Sequence, residues 1–297
     1  MDGIFNVNKP PGMTSHDVVS VVRRLAGQRR VGHAGTLDPA AEGVLLICVG
    51  KATKVVEYLT NDRKSYRAAI TLGVSTDTYD AEGRITKRTS SVNVGLAEIE
   101  AVLAGFRGSI VQVPPAYSAI KRAGQPLYKL ARAGIEVLPE PRRVTIYRLE
   151  ALAWRPPVFT LCVECSKGTY IRSLANDLGE RLGCGAHLSH LLRTASGHFT
   201  LDAAATIEEL GAAFGSGRAE DLLFALDEAL LDYDALVVHP ERSRAVTHGL
   251  SWAAGEAARA RAVGERGPVR VYSVEGEIVA MAEYDRGSGR WQPSKVF

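Results

Sequence analysis

No stretch of the chain approaches the roughly 18 consecutive apolar residues that a membrane-spanning helix requires, so no such helix is expected. Cysteine is scarce, with four in 297 residues. Only Cys162 and Cys165 stand close together, as C-x-x-C. On a strand, residues three apart point to opposite faces, and no second pair follows, so neither zinc nor redox chemistry is expected there. His187 and His190 could share one face of a helix, yet no third ligand accompanies them. The acidic stretch from Thr76 to Gly83 lacks the alternating acid-and-glycine pattern of a calcium loop. There is no glycine-rich cofactor loop and no Gly-x-Ser-x-Gly, and the seven histidines suggest no triad. The opening residues Met1-Asp2-Gly3-Ile4-Phe5-Asn6 lack the basic and apolar regions of a signal peptide. With so few cysteines, a reducing cytoplasm is the expected compartment. Internal repeats and low-complexity segments are also missing.

The composition itself, 46% hydrophobic and 23% charged, is that of an ordinary globular protein. The length suits one large domain and a smaller one. The net charge of +3 is mild, but its distribution is uneven. Arg23-Arg24, Arg29-Arg30, Lys121-Arg122, Lys129, Arg132 and Arg142-Arg143 crowd the first half with few nearby acids. Such clusters form a solvated face or meet a polyanion, and several in one region favour the latter.

The chain is organised around Val31 to Gly43, where three glycines and a proline surround His33 and Asp38. This composition excludes a regular helix or a sheet interior. Pro39 steers Asp38 away from the helical conformation, so its carboxylate should project from a loop. The apolar run Val44 to Val49 reads as a buried strand anchoring that loop. The stretch is either a binding or catalytic loop or a tight turn whose Asp caps its own backbone.

Before it, Ile4 to Asn8 reads as a strand running into the turn Lys9-Pro10-Pro11-Gly12. Thr14 and Asp17 suggest a capping box for a helix with Val18, Val19, Val22 and Leu25 on one face, stopped by Gly27. After it, the sequence predicts a short helix over Lys51 to Leu59, a strand from Ser65 to Gly73 with Tyr66 near its start, and a helix from Leu96 to Leu103. Between Pro114 and Gly134, prolines and glycines bracket Tyr117, Tyr128 and several cations, among them Lys121, Arg122 and Lys129. Basic residues interleaved with aromatics suit an RNA backbone with unstacked bases; a surface loop with two tyrosines lying on the core is the alternative.

Val144 to Leu152 and Phe159 to Cys165 read as adjacent strands. Thr169 is the expected N-cap of a helix carrying Ile171, Leu174, Ala175, Leu178 and Leu182 on one face. Arg172 falls in its first turn, against the helix dipole, so an acid is expected nearby. Thr206 to Leu230 reads as a helical tail. From about Tyr233 the pattern shifts to short β pieces, with Glu275-Gly276 as a hairpin turn, which gives a boundary between residues 1–232 and a β-rich unit over 233–297.

Read together, several stretches resemble the TruB-type tRNA pseudouridine synthases, which isomerise uridine 55 in the T-arm. These are Asn8 to Ser15, Gly32 to Pro39, Lys64 to Arg67 with Gly73 and Thr76-Asp77-Thr78, Pro114 to Ala119, Ser166 to Arg172, and Ala186 to Leu188, in the family's order. The C-terminal part resembles the family's PUA domain more weakly. The resemblance implies an α+β or α/β fold, with a mixed, largely antiparallel sheet flanked by helices and crossed by a cleft. It implies that Asp38 is the nucleophile, Tyr66 the ring that stacks on the target base and Arg172 the partner of Asp38. His33 matches the residue entering the T-loop, Leu191 an apolar wall of the uracil pocket, and Lys9 and Pro10 a bracing loop. Ala40, Glu42 and Leu192 depart from the family's usual residues, which bears on loop packing and one phosphate contact. Arg172 should keep Asp38 ionised by pulling its pKa down. The carboxylate could attack ribose C1′ or uracil C6, or act as a base on a glycal route.

No cofactor or metal is expected, since the isomerisation needs neither a redox change nor a group donor. The expected partner is the tRNA T-arm, without an obligate protein partner, for a protein acting as a monomer. A guide-RNA-dependent synthase of the dyskerin type and a non-catalytic RNA-binding or RNA-folding module are the alternatives. The loop over residues 114–140 and the lack of a basic tail favour the stand-alone enzyme.

Overall fold

The computed structural model describes residues 1–118, 121–122, 125–126, 139–253, 257–260 and 267–297. Its strands, in chain order, are β1 (Gly3–Lys9), β2 (Val31–Ala34), β3 (Glu42–Val49), β4 (Lys64–Leu72), β5 (Val74–Thr76), β6 (Ile85–Arg88), β7 (Gly108–Gln112), β8 (Lys121–Arg122), β9 (Gln125–Pro126), β10 (Arg142–Arg155), β11 (Val158–Cys165), β12 (Ala186–Ser196), β13 (Phe199–Thr200) and β14 (Leu223–Phe224). The C-terminal strands are β15 (Ala235–Val238), β16 (Trp252–Ala253), β17 (Ala257–Ala260), β18 (Val269–Tyr272), β19 (Ile278–Asp285) and β20 (Arg290–Val296). The α-helices are α1 (Ser15–Leu25), α2 (Val56–Asn61), α3 (Leu96–Ala104), α4 (Ile171–Arg181), α5 (Ile207–Gly215) and α6 (Pro240–Thr247).

One large sheet runs β14-β1-β3-β12-β4-β11-β10-β7, with β2 added to β3 and β13 to β12. Its pairings are antiparallel except for β3 with β12, where Leu192 faces Glu42 in parallel register. The mixed, largely antiparallel sheet expected from the sequence is thus present. The run Val44 to Val49 forms the middle of this sheet and is buried on both faces. Leu45, Ile47 and Val49 join one core cluster with Phe5, Val18 and Ile70, while Val44, Leu46 and Cys48 join a second cluster with Ile4, Leu59 and Phe199. Burial on both sides explains why the strand is continuously apolar rather than alternating.

The helix starts follow the sequence where side chains supply the caps. Thr14 Oγ1 accepts from Asp17 N at 3.1 Å and Asp17 Oδ2 accepts from Thr14 N at 2.8 Å, closing the expected capping box. Thr169, by contrast, does not cap α4. Tyr170 occupies that position, and the Thr169 hydroxyl donates instead to Ser166 O at 2.9 Å. The expected loop at Val31 to Gly43 begins only at Gly35, because Val31 to Ala34 pair with Val49 to Leu46 and so satisfy backbone groups lying next to the core.

Other differences have local causes. Residues 51–59 divide into a 3₁₀ turn and α2. The segment carrying His187 and His190 is strand β12 rather than helix, so the two rings cannot act as an i, i+3 pair. The helical tail stops at Gly215; beyond it Gly217, at φ +72°, turns the chain into 3₁₀ turns and β14. In the C-terminal region a second sheet, β16-β20-β19-β18-β15-β17, has its own core around Trp252, Val271 and Trp291. Helix α6, opened by Pro240 at its first turn, interrupts the β pieces read there. The Glu275-Gly276 turn joins β18 to β19 as expected, with Gly276 at φ +85°. Met281 of β19 packs in the second core cluster of the large sheet, and Lys54 Nζ donates to Val296 O at 2.6 Å, so the two sheets are fastened together. Among the described residues no helix is long and apolar enough to cross a membrane.

Candidate active site

The residues that follow β2 turn sharply and bring Asp38 to the wall of a cavity of about 340 Å³. Two clamps hold this turn. Leu37 N donates to Ser15 Oγ at 2.9 Å while that hydroxyl donates to Leu37 O at 3.1 Å, tying the turn to the start of α1. On the other side of Asp38, Lys9 Nζ donates to Pro39 O at 3.1 Å, Pro10 O at 2.9 Å and Met13 O at 2.7 Å. Lys9 is fully buried, and burial brings its ammonium pKa down to about 8 against the opposing pull of Asp38 and Glu42. One lysine thus gathers three carbonyls, that of Pro10 among them, beside the turn that carries Asp38.

Across the cavity, the first turn of α4 presents Arg172, 7% exposed at its side chain. Its Nε lies 2.9 Å from Asp38 Oδ2, although the N–H is not directed along that line, and its Nη2 donates to Asp38 Oδ1 at 3.3 Å. Nη2 also donates to Tyr117 O at 3.0 Å; Nη1 donates to Thr78 O and to Asp80 Oδ2, each at 3.3 Å. One guanidinium thus joins two carboxylates and two loops. The acid expected near Arg172 is present twice over.

Asp38 is surrounded by protein, yet 43% of its side-chain surface stays open because it faces the cavity. Burial pushes its carboxyl above the usual carboxylate range; Arg172 opposes this and Asp80 reinforces it. The expectation that Arg172 would hold the pKa below the ordinary value therefore fails, since desolvation outweighs the single shared cation.

Tyr66 lies on β4 and Leu191 and Arg193 on β12, all lining the same cavity. Tyr66 sits directly opposite Arg193 across the strand pair, and Leu191 opposite Ala68. Burial pushes the Tyr66 hydroxyl up, while Arg193 pulls it down by charge and by a hydrogen bond. His33 is on β2 outside the cavity lining, with Nδ1 unpartnered and its pKa lowered first by burial and then by Arg193. The Tyr117 side chain is half-buried. Lys121 and Arg122 form a two-residue strand paired with Gln125 and Pro126, and Lys129 lies outside the described residues.

Two family profiles cover residues 23–238 without a gap: the TruB family pseudouridylate synthase N-terminal domain over 23–171, and the tRNA pseudouridylate synthase B C-terminal domain over 172–238. The chain belongs to the TruB family of pseudouridylate synthases. It is accordingly an isomerase. A relative from Dehalococcoides mccartyi, named tRNA pseudouridine synthase B, is 43% identical over 297 residues, spanning 100% of this chain and 97% of its own. A protein of the same name from Pseudomonas fluorescens is 45% identical over 299 residues, covering 100% and 95%. Among solved structures, one described as an H/ACA RNP bound to a substrate RNA containing 2'-deoxyuridine matches with a TM-score of 0.77 and 27% identity, over 99% of this chain and 84% of that one. A Cbf5-Nop10-Gar1 complex matches with a TM-score of 0.75 and 30% identity, over 95% and 78%.

Measured against the TruB resemblance, the structure brings Asp38, Tyr66, Arg172 and Leu191 to one cavity, with Lys9 directly behind it. Three participants were not singled out by sequence reasoning. Asp80 comes from the acidic turn that follows the matched Thr76-Asp77-Thr78. Lys64 enters at the start of β4. Arg193 follows Leu191 by two residues, and the alternation of the two on one strand face was the available signal. Among the departures, the Glu42 carboxylate meets the His190 ring at Nε2, and Leu192 stands beside a buried Arg193.

Proposed function

We propose that this protein converts uridine 55 in the T-arm of tRNA to pseudouridine, with Asp38 as the nucleophile. The observation that carries this reading is the carboxylate of Asp38, open to a cavity floored by Tyr66 and held by the guanidinium of Arg172. The names and near-full-length identity of the relatives support tRNA as the substrate.

The target base is stacked inside folded RNA, and flipping it out costs a few kcal/mol. Stacking on Tyr66, worth roughly 1–3 kcal/mol, offsets much of that. His33, whose lowered pKa favours the neutral ring, suits the gap the base leaves. Asp38 then acts on the nucleoside, and Arg172 holds its oxygens in place. Tyr117, Lys121, Arg122 and Lys129 supply the loop that reads RNA, and residues 233–297 act as a PUA-like RNA-binding unit. The protein works on tRNA as a monomer, without a cofactor or an obligate protein partner.

The test is mass-resolved mapping of pseudouridine in bare tRNA transcript treated with wild type and Asp38→Asn. Wild type should modify position 55 alone, and the variant should bind RNA without modifying it. Modification only in the presence of a guide RNA would transfer the protein to the dyskerin-like class, and full turnover by Asp38→Asn would remove the nucleophile assignment.

A further inference from the structure

Two buried cations, Arg193 and Lys64, line the cavity without a side-chain ion pair among the described residues, although Asp62 lies close enough to Lys64 to be felt by its charge. Arg193 is 1% exposed, and its guanidinium donates to main-chain carbonyls: Nε to Val44 O at 2.6 Å, Nη2 to Gly35 O at 3.0 Å and Nη1 to Thr36 O at 3.4 Å. Lys64 donates in the same way to Leu59 O at 2.8 Å and Asp62 O at 3.0 Å. Among the described residues neither joins an ion pair. Burying a cation without an anion costs several kcal/mol, only part of which carbonyl dipoles recover. Neutral donors could tie the same carbonyls at a smaller cost. Positive charge kept here at that expense fits a site where negative charge appears during the reaction.

The proposed isomerisation creates such charge. When C1′–N1 breaks, the electron pair stays on N1 and the base becomes a uracil anion, its charge spread over O2 and O4. Asp38 takes up the electron deficiency at C1′, either by bonding to it or by removing the C2′ proton. Carbon 5 of the turned base then bonds to C1′, Asp38 is released or returns its proton to C2′, C5 gives up its proton, and N1 gains one. Nothing is added or lost overall.

We infer that Arg193 supplies the fixed positive charge that holds the uracil anion in the cavity. This inference rests on the uridine-isomerising reading. Three observations converge on it. Arg193 lies across from Tyr66, the ring on which the base stacks, and shares one strand face with Leu191. Its three carbonyl bonds lock the guanidinium, so it need not reorganise as charge develops. Lys64, 5% exposed and also lining the cavity, reinforces the field. Arg172 is already engaged by Asp38 and Asp80 and is less available for this task.

The test compares wild type, Arg193→Gln, Arg193→Lys and Asp38→Asn in single turnovers on T-arm stem-loops carrying uridine or 5-fluorouridine at the target position. Loss of the N-glycoside is read by nuclease digestion and mass spectrometry. Fluorine stabilises the detached anion, so a lost cation matters less with it. Arg193→Gln should be slower by about 100-fold or more with uridine, and that deficit should be smaller with 5-fluorouridine, whose leaving base carries the negative charge more easily. Arg193→Lys, which keeps the charge, should lose less than about tenfold, without dependence on fluorine. Equal Arg193→Gln deficits on both substrates, or a rate loss matched by lost RNA affinity, overturns the inference in favour of a structural clamp. Should Arg193→Gln not melt cooperatively, Arg193→Lys alone decides: a folded lysine variant slowed by about 100-fold overturns it. If wild type forms no pseudouridine, or Asp38→Asn turns over normally, the functional reading fails instead, whatever Arg193 does.

Discussion

Replacing Arg172 with methionine removes the one cation that Asp38 and Asp80 share. Breaking a buried ion pair from one side costs about 3–5 kcal/mol, because a desolvated charge is left alone. The upper end does not apply here: 43% of the Asp38 side chain is open to the cavity, and solvent screens its half of the loss. Asp80, at 17% exposure, is less relieved. Losing the bonds to Thr78 O and Tyr117 O adds about 1 kcal/mol each at most. The expected destabilisation at pH 7.5 is therefore about 3 kcal/mol, measured by urea unfolding followed by circular dichroism. The pH dependence follows from the carboxyl that already titrates high. Its folded pKa lies above the unfolded value of 3.8, and losing Arg172 raises it further. The folded variant then binds protons that the unfolded chain does not, so its stability rises as pH falls through the folded pKa. The deficit should shrink by about 1 kcal/mol between pH 7.5 and pH 5. A loss below about 1 kcal/mol, or the same loss at both pH values, would refute this account of the Asp38–Arg172–Asp80 group.

Other outcomes can be stated more briefly. Tyr66→Phe should keep RNA affinity, since the stacking ring remains, and lose turnover where its hydroxyl or the Arg193 contact matters; a wild-type single-turnover rate would show that neither does. For Lys9, burial lowers the folded pKa to about 8 from 10.5, so the wild type gains stability as pH rises from 8 to 10.5. Lys9→Met should lack that gain, and parallel stability curves over this range would contradict the assignment. Combined Lys121→Ala, Arg122→Ala and Lys129→Ala should reduce the slope of log affinity for tRNA against log salt by about 2; an unchanged slope would remove that loop from the interface. Because Asp38 must be ionised to act, the acid limb of single-turnover activity should lie above the ordinary carboxylate range.

Much of the site was legible because the informative residues sit on local rules. Pro39 and its flanking glycines marked the turn that carries Asp38. The apolar run behind it marked a strand buried on both faces, and the capping box marked the start of α1. Arg172, placed against a helix dipole, asked for an acid. What stayed hidden depends on pairing between distant strands. Nothing near residue 193 says that its neighbour is Tyr66, because that proximity is set by the register of β12 on β4. Asp80 reaches Arg172 only because its turn packs beside Leu188, 108 residues further along the chain. The pKa of Asp38 was misjudged for a related reason. Sequence could suggest the cation beside it, but not how much protein would surround both.

Strands β3, β4 and β12 lie in the interior of the large sheet, with further strands on either side. Tyr66, Leu191 and Arg193 therefore ride on the part of the molecule that opens last. Amides there should exchange with solvent hydrogen only through global unfolding. The cavity wall carried by these strands therefore lasts as long as the fold does, whereas the turn that carries Asp38 is held by its own clamps.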